Sequence, residues 1–150
     1  MLNIDIKNTS SYKQKPNIDD NLEFGTVFTD HMFIMDYTSE DGWKNPRIEE
    51  FKDISISPAA MVFHYGQSLF EGMKAYKTEE GDVQLFRPLK HIKRANSSAK
   101  RLCMPQINEE DFLQAIKTLV DIDRDWIPRK RGAALYIRPF MIATDPSVNV

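Results

Sequence analysis

The alternation of apolar and polar residues predicts strands in the first half of the chain. The run from Val27 to Tyr37 is rich in aromatic and aliphatic residues, which is typical of a strand. A second strand is predicted over 47–51, after a break at Pro46. A third is predicted over 54–57, where isoleucine alternates with serine. Together these segments predict a sheet that begins in the N-terminal half.

A hairpin and a helix are predicted to follow. Two short apolar runs over 73–77 and 83–86 flank a loop that contains Gly81, which is typical of a hairpin. Pro88 is suited to the first position of a helix, because its fixed backbone angle matches the helix and its missing N–H is not needed there. Apolar residues then recur at helical spacing until Pro105 ends the segment.

The most distinct helix is predicted to start after Asn108. The Asn108 side chain can cap the first turn, and the three acidic residues that follow suit a helix N-terminus. Apolar residues between Phe112 and Val120 form one core-facing stripe, and the helix is predicted to end near Trp126. The segment 133–142 is then the most strand-like part of the chain.

This order of elements predicts an α+β fold, in which a mostly antiparallel sheet packs with two main helices. Residues 1–22 are polar and have neither a helical nor a strand period, so we expect a mobile N-terminal arm there. A small α+β domain is expected over 23–150. Because the chain ends directly after a strong strand, we expect this domain to be truncated.

Composition and charge narrow the class of protein. The chain has 150 residues, a net charge of −2 and 41% hydrophobic residues, which is typical of a globular protein with no nucleic acid or membrane partner. No apolar run reaches the roughly 18 residues of a membrane span, and the polar start does not resemble a signal peptide. The single cysteine, Cys103, excludes an intramolecular disulfide, and we expect it to be a buried thiol in a cytoplasmic protein.

The common short motifs of catalytic and phosphate sites are absent. Gly66 and Gly72 bracket the segment GQSLFEGMKAY, but they match neither a dinucleotide-binding loop nor a Walker loop. Ser68 lacks the glycine frame of a hydrolase nucleophile. The three histidines have no metal-binding spacing, so no metal site is predicted. From the residues alone, this segment is a tight corner that leads into a hairpin.

Two arginines are candidates for binding an anion. Arg138 lies in an apolar strand, on the same face as Tyr136, and a buried guanidinium needs an anionic partner. That partner is either an internal Asp or Glu or the carboxylate of a ligand, held with help from the tyrosine hydroxyl. Arg94 lies at the edge of a helical apolar stripe, so it either faces solvent or turns inward towards a phosphate. The residues alone leave both pairs of alternatives open.

Several segments together resemble the branched-chain amino acid aminotransferases, which are class IV, fold-type IV enzymes that depend on pyridoxal phosphate. The resemblance runs in register from about Lys13 to Val150 and is carried by FGTVFTDHMFIMDY, ISPAAMVFHYGQSLFEGMKAY, LFRP, RLCMPQI, VDIDRDWIP and ALYIRPFMIATDPS. It implies a homodimeric two-domain enzyme with pyridoxal 5'-phosphate between its domains. The chain then corresponds to most of the small N-terminal domain of such an enzyme.

The resemblance also implies roles for individual residues. Arg94 matches the arginine that binds the cofactor phosphate, and Tyr136 and Arg138 match a pair that holds a substrate carboxylate. Phe24, Tyr65 and Phe70 match aromatic residues of the pocket for the aliphatic side chain. No catalytic residue is expected in this chain, because the Schiff-base lysine of the family lies in the C-terminal domain.

The function implied for the full enzyme is transamination of leucine, isoleucine and valine with 2-oxoglutarate, which gives branched-chain 2-oxo acids and glutamate. This chain alone is expected to be inactive. Two alternatives stay open. One is a truncated, non-catalytic relative that binds a partner through the open edge of its sheet. The other is a different class IV enzyme, such as a D-amino-acid aminotransferase.

Overall fold

The computed structural model describes residues 1–17 and 22–149, and these residues form an α+β fold, as predicted. The strands are β1 (Asp5–Ile6), β2 (His31–Thr38), β3 (Gly42–Glu50), β4 (Ser68–Phe70), β5 (Met73–Lys77), β6 (Val83–Leu85), β7 (Leu135–Ile137) and β8 (Phe140–Ile142). The helices are α1 (Met61–Tyr65), α2 (Pro88–Arg101) and α3 (Glu109–Ile122), and a 3₁₀ helix follows at Arg124–Trp126.

The described strands form three small sheets rather than one. Their orders are β1-β3-β2, β4-β8 and β6-β5-β7. Every pair is antiparallel except β1 with β3, which is parallel. The prediction of a mostly antiparallel arrangement is therefore confirmed, while the prediction of a single sheet is wrong.

The predicted break at Pro46 is wrong, because β3 runs through it. Between the pairs Ile34–Arg47 and Asp36–Lys44 the register shifts by one residue, so β3 contains a bulge at this point. Asn45 has a left-handed backbone with φ 53°. A proline is tolerated in a bulge because its missing N–H interrupts no ladder bond there.

The strand predicted over 54–57 does not form. These residues have no regular structure, and Ile54 is half-exposed. A period of two makes a strand only where a neighbouring strand accepts its backbone hydrogen bonds, and no described strand pairs with this segment.

The segment 133–142 divides into two strands that belong to different sheets. β7 pairs with β5, and β8 pairs with β4. The chain changes sheet at Arg138 and Pro139, where proline cannot donate to a ladder. The Pro139 carbonyl instead accepts a hydrogen bond of 2.8 Å from the backbone N–H of Glu71. A local apolar pattern cannot reveal such a change of partner.

The predicted hairpin and both predicted helices are confirmed. β5 and β6 form the hairpin, and α2 begins at Pro88. The Asn108 side chain caps α3 by accepting hydrogen bonds from the backbone N–H groups of Glu110 (3.0 Å) and Asp111 (3.2 Å). The helix ends at Ile122, earlier than predicted, and the 3₁₀ helix continues to Trp126.

The core joins one face of β5 to α2 and α3. Its buried members are Met73, Ala75, Ile92, Ile116, Val120 and Ile127. Burial of such apolar side chains is the main stabilising contribution to the fold. Since β5 and α2 share this core, the residues just before β5 are brought next to the side chains of α2.

Cys103 is exposed, so the expectation of a buried thiol is wrong. The residue follows α2 with a left-handed backbone of φ 54°, and the next residue, Met104, takes the buried position. The direction of the chain at a helix end decides which of two neighbouring apolar residues is buried.

The described residues of the N-terminal segment contact the rest of the domain, and Asp5–Ile6 among them form a strand. β1 pairs with β3, and the backbone N–H of Leu2 donates to Gln114 Oε1 at 2.8 Å. Buried Thr9 donates its backbone N–H to Nε2 of His31 at 3.1 Å. Residues 18–21 of the expected arm lie outside the described residues, and the division at 22 stays a prediction.

Candidate functional site

The segment GQSLFEGMKAY forms the corner between α1, β4 and β5. Gly66 ends α1 in the left-handed conformation, with φ 62°, which favours glycine. β4 follows, and Glu71 and Gly72 then connect β4 to β5. The two connecting residues contact side chains from both α2 and β7, so the corner lies at the centre of the candidate site.

Glu71 is a buried carboxylate that Arg94 and its own neighbour hold in place. Arg94 on α2 donates from Nε to Oε2 at 2.7 Å and from Nη2 to Oε1 at 2.5 Å. The backbone N–H of Gly72 donates to Oε1 at 2.8 Å, and His91 Nδ1 lies at the longer distance of 3.5 Å. These contacts, the Arg94 hydrogen bonds most of all, lower the pKa of Glu71 to about 2 although burial opposes ionisation. Glu71 is therefore a carboxylate at neutral pH.

Arg94 is oriented from one side and open on the other. Its side chain is 65% exposed, whereas that of Glu71 is 6% exposed. Glu71 engages the edge of the guanidinium formed by Nε and Nη2, and Nη1 makes no hydrogen bond with any residue that the structure describes. A guanidinium fixed in this way presents free N–H donors to an anion. Arg94 thus turns towards a carboxylate and still reaches solvent.

Gly72 leaves space for the side chain of Tyr136. A Cβ on residue 72 would lie 2.8 Å from Cζ of Tyr136 and closer still to its hydroxyl oxygen. The register of β5 against β7 places Lys74 opposite Tyr136, which brings the tyrosine ring beside the corner. Any side chain larger than hydrogen at residue 72 would displace this ring.

Arg138 is exposed and lies over two aromatic rings. Its Nη2 donates to the Tyr136 hydroxyl at 3.1 Å, and its guanidinium carbon lies 4.3 Å from the centre of the Phe70 ring. No ion pair between described residues involves Arg138. The expectation of a buried arginine is wrong. Arg138 lies between β7 and β8, where the backbone passes from one sheet to the other, and its side chain is exposed there. Aromatic faces stabilise a cation by about 0.5–1 kcal/mol at exposed positions.

Phe24 completes an open cluster on this face. Its ring meets that of Tyr136 edge-on, with the centres 5.0 Å apart. Phe24 and Phe70 are 71% and 65% exposed. We call Phe24, Phe70, Tyr136 and Arg138 the aromatic–arginine cluster. It offers apolar ring faces and one cation to the same space.

Two of the predicted site residues lie outside this cluster. Tyr65 donates its hydroxyl to the Val148 carbonyl at 2.5 Å and has no described ring contact with the cluster. Arg94 is linked to the cluster only through the corner: Glu71 binds Arg94, and Gly72 contacts Tyr136. The structure thus brings four of the six together and connects the fifth through two residues.

Sequence reasoning missed Glu71 and Gly72. The signal was available, because Glu71 is the only carboxylate between Leu69–Phe70 and Gly72–Met73, and a carboxylate buried among such residues needs a cationic partner. The choice of Arg94 as its partner depends on the packing of α2 against β5, which the sequence does not state.

Within the residues that the structure describes, no group of His, Cys, Asp and Glu could hold a metal ion. None of the described helices has the length and apolar character of a membrane-spanning helix.

Comparison with known proteins finds branched-chain-amino-acid aminotransferases among the relatives of this chain, although no protein-family model matches it. A branched-chain-amino-acid aminotransferase 2 of Bacillus subtilis (strain 168) is 54% identical over 147 residues, which is 98% of this chain and 40% of the relative. A mitochondrial branched-chain-amino-acid aminotransferase of Rattus norvegicus is 40% identical over 147 residues, or 37% of its length. The chain spans about 40% of the length of the curated relatives that it matches.

Solved structures give the same result. A T.th. branched-chain amino acid aminotransferase complexed with N-(5'-phosphopyridoxyl)-L-glutamate is 31% identical, with a TM-score of 0.54, and the match covers 65% of this chain and 31% of that one. The enzyme from Thermoproteus uzoniensis with norvaline has a TM-score of 0.58 over 69% of this chain and 33% of its own, and at 24% identity it supports the fold alone.

Proposed function

We propose that this chain, which is related over nearly its whole length to the N-terminal part of the branched-chain-amino-acid aminotransferases, forms the small domain of such an enzyme. The full enzyme would exchange the amino group of leucine, isoleucine or valine with 2-oxoglutarate. The observation that carries this proposal is the 54% identity over 98% of the chain. The geometry of the corner and of the aromatic–arginine cluster supports it.

Arg94 is the residue that fits the phosphate of pyridoxal 5'-phosphate. Glu71 engages one edge of its guanidinium, and the exposed remainder offers N–H donors to a phosphate oxygen. When bound, this cofactor supplies the electron sink for transamination. In the proposed enzyme, the lysine that carries the cofactor comes from the C-terminal domain.

The aromatic–arginine cluster fits both substrates of the exchange. The faces of Phe24 and Phe70 offer apolar contact to a branched aliphatic side chain. Arg138, together with the Tyr136 hydroxyl, offers donors to the side-chain carboxylate of glutamate or 2-oxoglutarate. One pocket can therefore accept an apolar and an anionic side chain. We assign Tyr65 to the same pocket from the resemblance, although its described contacts lie elsewhere.

The same proposal includes a cytoplasmic homodimer. Phe24 and Phe70, and also Phe63 and Phe140, are more than half exposed on this chain. Further protein that covers these rings would remove their apolar surface from water. We propose that the rest of the enzyme and its second subunit bury these rings.

The test is an assay of the full two-domain protein. We expect it to form glutamate from 2-oxoglutarate with L-leucine, L-isoleucine and L-valine, and not with D-alanine. Activity with D-alanine alone would identify a different class IV aminotransferase. A purified full-length protein that binds pyridoxal phosphate but transfers no amino group from these amino acids would contradict the proposal.

A further inference from the structure

We propose that Glu71 is a positioning residue, which holds the Arg94 guanidinium in the orientation that binds the phosphate of the cofactor. This inference rests on the proposed function. Glu71 lies within the segment GQSLFEGMKAY, but the sequence analysis gives it no role. The inference comes from three observations: the geometry of the pair, the contrast in exposure between its members, and the connection of Glu71 to the cluster.

The geometry of the pair fixes the plane of the guanidinium. Two parallel hydrogen bonds, at 2.7 and 2.5 Å, join Nε and Nη2 of Arg94 to the two carboxylate oxygens of Glu71. Such a two-point contact restrains rotation about the end of the arginine side chain, which one bond would not do. Glu71 is itself held by the Gly72 N–H, so the restraint is anchored to the backbone.

Arg94 and Glu71 differ in exposure, and this difference indicates that Glu71 positions Arg94 rather than only stabilising the fold. A surface ion pair stabilises a fold only weakly, because water competes for the exposed partner. Arg94 is 65% exposed, yet its carboxylate partner is buried at a desolvation cost. A buried acceptor that holds a largely exposed donor leaves the free edge of Arg94 pre-oriented. Pre-orientation reduces the side-chain entropy that binding would otherwise cost.

The main chain of Glu71 also joins the two halves of the site. Its backbone N–H donates to the Pro139 carbonyl at 2.8 Å, next to Arg138 in the chain. Its neighbour Gly72 contacts Tyr136. Glu71 therefore holds Arg94 in a fixed position relative to the strands that carry the aromatic–arginine cluster. A phosphate bound to Arg94 would then lie at a fixed distance from the substrate pocket.

Charge and positioning predict opposite effects of one substitution. Glu71 is negative, so by Coulomb's law alone its removal would strengthen the binding of a phosphate at Arg94. If Glu71 positions Arg94, Glu71→Gln weakens that binding, because the amide group cannot accept both hydrogen bonds. Glu71→Asp retains the charge and withdraws the carboxylate by one methylene group. Positioning predicts a loss for this variant too, whereas charge alone predicts wild-type binding.

The experiment measures binding to the full-length apoprotein rather than activity. Equilibrium affinities are determined for pyridoxal 5'-phosphate and for pyridoxal, which lacks the phosphate. We expect Glu71→Gln and Glu71→Asp to weaken the first by about tenfold and to leave the second unchanged. In an Arg94→Lys background, where no two-point contact exists, Glu71→Gln should have little further effect. Asp36→Asn is the matched control, since it removes the partner of another arginine, Arg47, in a pair with a 2.8 Å bond.

Each outcome decides a different point. Wild-type protein that binds no pyridoxal 5'-phosphate overturns the proposed function and this inference with it. Wild-type binding that Glu71→Gln strengthens or leaves unchanged overturns the inference alone. Equal losses for pyridoxal 5'-phosphate and pyridoxal would show a general structural defect and would also overturn it. If Glu71→Gln does not fold, Glu71→Asp gives the same test.

Discussion

Gly72 and Tyr136 fit together because one lacks a side chain where the other places its ring. A Cβ on residue 72 would come within 2.8 Å of Tyr136 Cζ, well inside van der Waals contact. The backbone of Gly72 does not have a positive φ, unlike that of Gly66 at the start of the same segment. Space, and not backbone conformation, is therefore the reason for glycine at this position.

Gly72→Ala is expected to destabilise the protein by about 1–3 kcal/mol, because an added methyl group overpacks the contact with Tyr136. Urea unfolding measures the change. In a Tyr136→Ala background the same substitution should cost much less, since the obstructing ring is gone. Equal costs in the two backgrounds would show that the strain has another source.

The Glu71–Arg94 pair predicts a specific dependence of stability on pH. The pKa of Glu71 is lowered from 4.5 to about 2 in the folded protein, chiefly by the Arg94 hydrogen bonds. A lowered pKa stabilises the fold above the unfolded value, and this stabilisation is lost as the pH falls from about 4.5 towards about 2. Because Arg94 is largely exposed, we expect a contribution of roughly 1–2 kcal/mol, below the value that the full shift would give.

The measurement compares the free energy of unfolding of wild type and Glu71→Gln across this pH range. The variant has no carboxylate to titrate, so the difference between the two proteins should shrink as the pH falls below 4.5. His91, the other titratable neighbour of Glu71, is present in both proteins. A difference that stays constant with pH would mean that the carboxylate contributes nothing through its ionisation.

The buried pair of His31 and Asp123 anchors the N-terminal segment. His31 donates from Nδ1 to Asp123 at 2.7 Å and from its backbone N–H at 3.1 Å, while its Nε2 accepts from the backbone N–H of Thr9. This acceptor role fixes the proton of the imidazole on Nδ1. Asp123→Ala leaves two buried donors unsatisfied, and we expect a loss of roughly 2–4 kcal/mol. Hydrogen exchange at the Thr9 amide should become faster.

The matched control for this variant is Asp121→Ala. Asp121 lies two residues earlier, is 73% exposed and pairs with Arg124 at 3.3 Å. Its loss should change stability by less than about 1 kcal/mol and leave exchange at Thr9 unaltered. Similar effects of the two substitutions would contradict the role given to the buried pair.

Local signals in the sequence were sufficient to predict the elements that depend on contacts between residues close together in the chain. Pro88 begins α2, and Asn108 caps α3 through the next turn, as predicted. The hairpin of β5 and β6 was also predicted from local signals, since its two strands are joined by a short loop.

Predictions failed where structure depends on residues far apart in the chain. The alternating segment 54–57 found no strand to pair with, and 133–142 divided between two sheets. Glu71 and Arg94 are 23 residues apart, so their pairing depends on how α2 packs. The proposed site residues came from a resemblance between sequences, and physical periodicity alone identified only Arg94 and the pair of Tyr136 and Arg138 as candidates.

Arg138 gives the sharpest test of how one pocket would serve two substrates. Its guanidinium donates to the Tyr136 hydroxyl at 3.1 Å and has no ion-pair partner among the described residues. In the full-length enzyme, Arg138→Ala should raise KM for 2-oxoglutarate by roughly 10–100-fold, because a charged hydrogen bond to a carboxylate contributes about 1.5–3 kcal/mol. KM for leucine should change by much less, since an aliphatic side chain offers no acceptor.

Arg131→Ala, in the exposed loop before β7, is the matched control and should leave both constants unchanged. An equal rise for leucine and 2-oxoglutarate would mean that Arg138 does not distinguish their side chains.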